Sequence, residues 1–404
     1  MVLDQTRRCQ SGSLETGVML GRDLQGHSWR GTDFCTIITE RNGHSSSKTG
    51  NLSYSSTRSI EHPKGAPAEM LSWKQAVAKY QEPMLRKSLW QVINTLIPYL
   101  SLSGLMIWTL HISYWLTLAV AVAAAGFLTR IFIIFHDCGH GSFFRSQHAN
   151  DLLGFVTGVL TFTPYHQWRH KHALHHATSS DLDGRGTGDI WTLTVREYVD
   201  APRWKRVAYR LFRNPFVLFI LAPLYLFLIH QRIPSRAVGR RERLGVHWTN
   251  AALLSIVVVM SLTVGLKAYL LIQLPVMAIT GTVGLWLFYV QHQFEGVYWQ
   301  RRKKWGFAEA ALKGSSFYKL PRILQWFSGN IGFHHIHHLS PRIPNYNLES
   351  CHQADPLFQT VKPITLLSSL RAFTYRLWDE QRGRLIGYRR LRELRRQRLA
   401  PFRS

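Results

Sequence analysis

The chain has 404 residues, with 49 lysines and arginines against 23 aspartates and glutamates, a formal charge of +26. So basic a balance invites a nucleic-acid reading, yet no zinc-finger, helix-turn-helix or RNA-binding motif accompanies it. The four cysteines, Cys9, Cys35, Cys138 and Cys351, are scattered; they show neither CxxC spacing nor a disulfide framework, which disfavours a zinc ribbon and an iron–sulfur cluster.

Residues 1–65 are rich in Ser, Gly, Thr and Arg without apolar periodicity and read as a disordered leader. The first apolar run comes near residue 89, so no cleavable secretory signal is evident. His62-Pro-Lys-Gly65 lacks the second glycine and the surrounding domain that the His-Pro-Gly-Gly haem motif of fused b-type cytochromes requires. Glu69–Lys87 predicts an amphipathic helix leading into the first of two apolar hairpins. The hairpins are Leu89–Leu110 with Trp115–Phe135, and Val246–Leu266 with Leu270–Val290. Each run approaches the ~20 residues that cross a bilayer. Trp90, Tyr114, Trp115, Trp248, Tyr269 and Tyr289 sit near their ends, as interfacial aromatic belts do.

The turns within the hairpins, His111–Tyr114 and Lys267–Tyr269, hold one of the 49 lysines and arginines, Lys267, while nearly all the others lie on the opposite side. The positive-inside rule then places both termini in the cytosol. Phe212–His230 is also apolar, but a fifth crossing would carry the Arg-rich stretch Arg232–Arg243 outside. A re-entrant or interfacial segment fits better, and Leu152–Phe162 gets the same reading. Gly184–Gly188 is a glycine-rich turn, too short and wrongly placed for a phosphate loop. From Arg382 to Ser404 arginines alternate with Leu385, Ile386, Leu391, Leu394 and Leu399, which predicts a basic amphipathic helix on anionic lipid. The expected organisation is a leader (1–65), a membrane domain (66–386) and a basic tail (387–404).

Three histidine clusters carry the chemistry. They are His136-Asp-Cys-Gly-His140, the run from His166 through His170, His172 and His175 to His176, and His334-His335-Ile-His337-His338. Residues i, i+3 and i+4 share a helix face, so each H-x-x-x-H or H-x-x-H-H pattern aims two or three imidazoles at one place. Neutral imidazole ligates iron, copper and zinc. Eight convergent imidazoles are too many for one ion and suit two. The solitary His27, His44, His62, His148, His230, His247 and His352 read as ordinary surface or core residues.

Clusters with these spacings, set after and between two hairpins, resemble the boxes of the membrane fatty acid desaturases. The run His334-His-Ile-His-His-Leu-Ser-Pro-Arg-Ile-Pro-Asn-Tyr346 is similar to the third box of the bacterial acyl-lipid, omega-6/delta-12-like branch. The resemblance covers roughly Ser72–Gly387. It implies an all-α integral membrane protein, with two transmembrane hairpins and a cytosolic helical cap around a histidine-rich diiron site. The family uses a further histidine just after the fourth span, and His292 occupies that place. The implied metal ligands are His136, His140, His172, His175, His176, His292, His334, His337 and His338, leaving His166, His170 and His335 spare. His334 and His335 are adjacent, and only His334 completes H-x-x-H-H. Ligand imidazoles need carboxylate or carbonyl partners on their other nitrogen, and Asp137, Asp181, Asp183 and Glu295 are the candidates.

The implied activity is insertion of a cis double bond into a membrane-lipid acyl chain. It uses two Fe ions, O2 and two electrons from a separate carrier such as ferredoxin with its reductase, since no fused haem, flavin or ferredoxin module is present. Trp168, Trp191, Phe294, Trp299, Trp305 and Trp326 are candidates to line the acyl tunnel. The implied location is a bacterial inner membrane with the site facing the cytosol. A related hydroxylase or ketolase acting on an alkane or carotenoid would use the same metals. A metal transporter would instead place ionisable ligands inside its spans, and the four predicted spans hold no Asp or Glu and, of the lysines and arginines, Arg130 alone.

Overall fold

The computed structural model describes residues 67–399 apart from Thr187. The leader assigned to 1–65, with its His62 motif, and the end of the tail at 400–404 lie outside the described residues.

Four helices are long and apolar enough to cross a membrane: Leu85–Leu110, Tyr114–His140, Arg240–Thr263 and Leu266–His292. At 1.5 Å per residue the longest reach about 40 Å, more than the ~30 Å hydrocarbon core, so the second and fourth spans are long enough to extend past it. The second span is the central one: 56% of its apolar window is buried, against 22–28% in the others. Its small residues Ala121, Ala124 and Ala125 meet Tyr99 and Met106 of the first span and Ile272, Val276 and Met277 of the fourth. Small residues let helix backbones approach where lipid offers no hydrophobic drive. Arg130 of the second span reaches neutral partners, donating from Nε to Thr95 Oγ1 at 3.1 Å, with its guanidinium 4.0 Å above the Trp326 ring.

Two boundaries differ from expectation. The turn of the second hairpin falls at Val264–Gly265, so Lys267 lies inside the first turn of the fourth span. Gly265 has φ +93° and its N–H bonds to Met260 O, a conformation that glycine adopts without a Cβ penalty. The helix expected over Glu69–Lys87 stops at Ala78, and the next begins at Leu85, after Pro83, because a proline disfavours helical geometry in the residue before it.

The apolar segment after the box-two loop forms a helix at Arg203–Phe212 and a second run at Val217–Arg232, bent by 66°. The 16 residues from Val217 to Arg232 would reach about 24 Å, short of a crossing. The run leans on the fourth span, where Thr282 donates to Phe219 O at 2.7 Å. Leu152–Phe162 falls within the 14-residue helix Gln147–Leu160 and its C-terminal turn, also too short to span.

The rest forms the cap, whose short helices are trimmed by two small sheets. Leu193–Thr194 pairs in parallel with Leu377–Asp379, which pairs antiparallel with Arg384–Ile386; Phe317–Tyr318 pairs in parallel with Pro363–Ile364. The tail helix Tyr388–Leu399 is not a separate arm at its start. Leu391 is buried, and with Leu394 it packs against Leu193, Tyr198, Tyr209, Leu377 and Ile386. Leu391 and Leu394, expected to face lipid, are used here in the cap's own core.

Candidate metal centre

Each histidine box ends or occupies a helix, so backbone periodicity delivers the rings. His136 and His140 occupy the last turns of the second span, which Gly141 closes at φ +67°. His172, His175 and His176 lie on the helix Tyr165–Thr178, and His334, His337 and His338 on the short buried helix His334–Leu339. His292 is the last residue of the fourth span.

These elements converge on two groups of imidazoles. His136, His140, His172, His176 and His337 form one; His175, His292 and His338 form the other, with ligand nitrogens in each group all within 4.8 Å of one another. His334 joins the second group, its Nε2 lying 3.0 Å from His292 Nε2. His175 Nε2 is 3.2 Å from His292 Nε2, His176 Nε2 is 3.1 Å from His172 Nε2, and His337 Nε2 is 3.0 Å from His176 Nε2. Nitrogens roughly 90–100° apart around one ion, with bonds of about 2.1 Å, would be separated by ~3.0–3.2 Å. Nε2 of His140 and of His338 is buried with no hydrogen-bond partner among the described residues. Orphaned acceptors of this kind, facing other imidazoles, fit a cation between them.

Two carboxylates set ring orientation. Asp137 Oδ1 lies 3.1 Å from His136 Nδ1, and Asp189 Oδ1 lies 2.9 Å from His175 Nδ1. With Nδ1–H donating to a carboxylate, Nε2 is left as the lone pair. Asp137 Oδ2 also accepts from the backbone N–H (2.7 Å) and the side-chain amide (2.8 Å) of Asn345, which ties the first box to the run following the third. Burial holds the pKa values of His172, His176, His334, His337 and His338 well below the ordinary 6.5, and neighbouring imidazoles lower them further. The neutral, ligating form is therefore the resting form.

Of the four expected carboxylates, only Asp137 meets an imidazole. Asp181 pairs with Arg302, Asp183 with Arg301, and Glu295 with Arg371. The first two are drawn to the loop at 300–302 by backbone bonds between Leu182 and Gln300 and between Gln300 and Ser180. Asp189 was not anticipated. It lies 13 residues beyond His176, and the glycine turn brings it back: a Cβ on Gly188 would stand 3.1 Å from His175 Cβ, so that position requires a residue without one. Of the spare histidines, His170 is exposed, His166 packs beside Gly245, and His335 turns to His352 at 3.1 Å. Of the tunnel candidates, only Trp168 lies at the cluster, stacked on His172 with ring centroids 4.3 Å apart. Trp191 meets Tyr209, Trp299 meets Trp378, Trp305 donates to Ser179 O, Trp326 covers Arg130, and Phe294 packs near Leu182. Phe288, also unanticipated, lies 5.2 Å from the rings of both His175 and His292.

Residues 113–362 match the family model described as fatty acid desaturase. The chain belongs to the fatty acid desaturase family. It is 51% identical over 318 residues to a fatty acid desaturase of Bacillus subtilis (strain 168), covering 79% of this chain and 90% of the relative. It is 30% identical over 242 residues to an sn-1 oleoyl-lipid 12-desaturase of a Synechocystis species, covering 56% and 64%. It is 27% identical over 256 residues to an sn-1 acyl-lipid omega-3 desaturase (ferredoxin) of a Nostoc species, covering 58% and 64%. Family membership makes this desaturase an oxidoreductase of fatty acid metabolism, and its four apolar helices make it a membrane protein.

Proposed function

We propose that this desaturase acts on the acyl chains of membrane lipids and holds two iron ions, one among His136, His140, His172, His176 and His337, the other among His175, His292, His334 and His338. The observation that carries this reading is the convergence of nine buried or half-buried imidazoles in two groups at the ends of two spans. Relatives named as acyl-lipid desaturases, one of them with ferredoxin in its name, support the lipid substrate and a separate electron donor. When bound, the irons supply with O2 the oxidising power to remove hydrogen from an unactivated methylene, which no side chain can do.

The overall balance is –CH2–CH2– with O2, two electrons and two protons giving –CH=CH– and two waters. The chain's own part is geometric and electrostatic. Asp137 and Asp189 hold the Nδ1 protons of His136 and His175, so that both present Nε2. The burial that keeps the box-two and box-three rings neutral also excludes water from the reacting centre. Trp168 and Phe288 present apolar faces beside the imidazoles, suited to an alkyl chain. We take the cap, the site and both termini to lie on the cytosolic face of a bacterial inner membrane, reachable by a soluble donor, a reading that the positive-inside bias supports.

The test is expression in a host lacking unsaturated fatty acids, with double bonds mapped by gas chromatography of the derivatised lipids. New cis-unsaturated acyl chains, lost when His140, His176 or His338 is changed to Ala, are expected. Hydroxylated chains, or no modified acyl chain despite correct membrane insertion, would sink the reading.

A further inference from the structure

Arg213 is the largest of the fully buried side chains, 1% exposed, and no carboxylate pairs with it among the described residues. Its charge is met by neutral acceptors alone. Nη2 donates to Tyr289 OH (3.0 Å), Gln293 Oε1 (3.1 Å) and Tyr375 O (2.9 Å), and Nη1 makes longer contacts to Trp191 O (3.4 Å) and Thr192 Oγ1 (3.5 Å). Burying a guanidinium without a counter-ion is costly unless its donors are well satisfied. A residue that serves only as filler would be replaced by an apolar one at no loss of stability. The position of its partners gives Arg213 a different role.

Tyr289 and Gln293 flank His292, one turn before it and one residue after it. Trp191 and Thr192 follow Asp189, the carboxylate that orients His175. Gln293 closes the loop by donating from Nε2 to Thr192 Oγ1 at 3.2 Å. One fork of donors therefore joins the end of the fourth span to the segment leading back to box two. The first carries His292; the second carries Asp189, whose carboxylate lies 2.9 Å from Nδ1 of His175, the ring whose Nε2 is 3.2 Å from His292 Nε2. Among the described residues no hydrogen bond joins Asp189 or residues 289–293 to a ring of the five-histidine group; Asp189 meets His175, and His292 meets His175 and His334.

We infer that Arg213 is a positioning residue for the His175–His292–His334–His338 site, acting through Asp189 on one side and the His292 turn on the other. The inference rests on the metal reading above. Removing a partner that orients metal ligands lowers affinity by roughly 10- to 100-fold, and here the loss falls on one of two sites. Lysine keeps the charge but lacks the planar fork, so it does not substitute.

The experiment is cobalt(II) binding to the purified, metal-stripped full-length protein, followed by visible absorption and chelator competition, in wild type, Arg213→Gln, Arg213→Lys, Tyr289→Phe and Gln293→Met. Wild type is expected to bind two ions. Arg213→Gln and Arg213→Lys are expected to keep one at wild-type affinity and to bind the second at least tenfold more weakly. Tyr289→Phe and Gln293→Met, which leave the guanidinium in place, should weaken the same ion by less, and they carry the test if the arginine variants do not fold. Two ions bound at wild-type affinity in folded variants would overturn the inference, as would equal weakening of both. A wild type that binds no cobalt would overturn the metal reading itself, a result distinct from variants that match a two-ion wild type.

Discussion

His335 Nε2 lies 3.1 Å from His352 Nδ1, on the face of box three turned away from the other histidines. Phe317 and Phe333 pack around the pair. This relationship separates two adjacent histidines that sequence spacing left side by side. His334 faces the candidate metal centre, and His335 belongs to the core beneath it. Burial, with His352 beside it, pushes the His335 pKa down to about 3, so the pair is held neutral.

His335→Ala should therefore leave metal content unchanged and lower stability by about 1–3 kcal/mol, the cost of an unpaired buried partner. His352→Ala should do the same, although as a solitary histidine it carried no such expectation. Iron analysis beside a thermal melt checks both variants. Loss of one iron in His335→Ala would move it into the ligand set.

Asp189→Asn should weaken metal binding by roughly 10- to 100-fold, because the amide can offer its NH2 to His175 and favour the wrong tautomer. Asp183→Asn and Glu295→Gln, whose carboxylates pair with Arg301 and Arg371 at the surface, should bind metal as wild type does. Chelator competition across the three variants separates the outcomes.

Acid should release the metals and destabilise the cap together. The box-two and box-three imidazoles with lowered pKa values stay neutral in the fold, whereas in the unfolded chain they take up protons below about pH 6.5. The unfolded state then binds more protons than the folded one, so stability rises with pH through this window. Their contribution is complete above pH 6.5 and is lost progressively as pH falls below it. Proton competition for the same nitrogens adds to metal release. Metal retention and melting temperature measured from pH 8 to pH 5 check the sign; retention that improves on acidification would contradict it.

Leu391→Ala should cost about 2–5 kcal/mol, as other large-to-small core changes do, without altering metal stoichiometry. Leu391 is 5% exposed in the cluster that includes Tyr198, Tyr209 and Leu377. Replacing the exposed Arg389 by Gln should change stability by much less, because exposed charges contribute little. Melting temperatures of the two variants in one detergent make the comparison.

Periodicity accounts for most of what the sequence revealed. Spans show as apolar runs, and H-x-x-x-H and H-x-x-H-H show as helix faces, so the four spans and the convergence of three clusters were legible. His292 has no spacing partner and came from resemblance alone. Asp181 and Asp183 were preferred for nearness in sequence, but a loop pairing with residues 300–302 carries them off. Asp189 reaches His175 through a turn in which Gly188 sits against the His175 side chain, and the signal available was that glycine turn itself, ending on an acid just after a histidine box. Arg213 gave no local signal, because its partners are drawn from segments spread over more than 180 residues.

We propose that nine histidines hold two irons that drive desaturation. Iron and labile sulfide per chain, measured on purified protein whose desaturase activity is assayed in the same sample, test it most directly. The expected result is two irons and no sulfide in active protein, with activity falling as iron is withdrawn. One metal per chain, or stoichiometric copper in active protein, would contradict it.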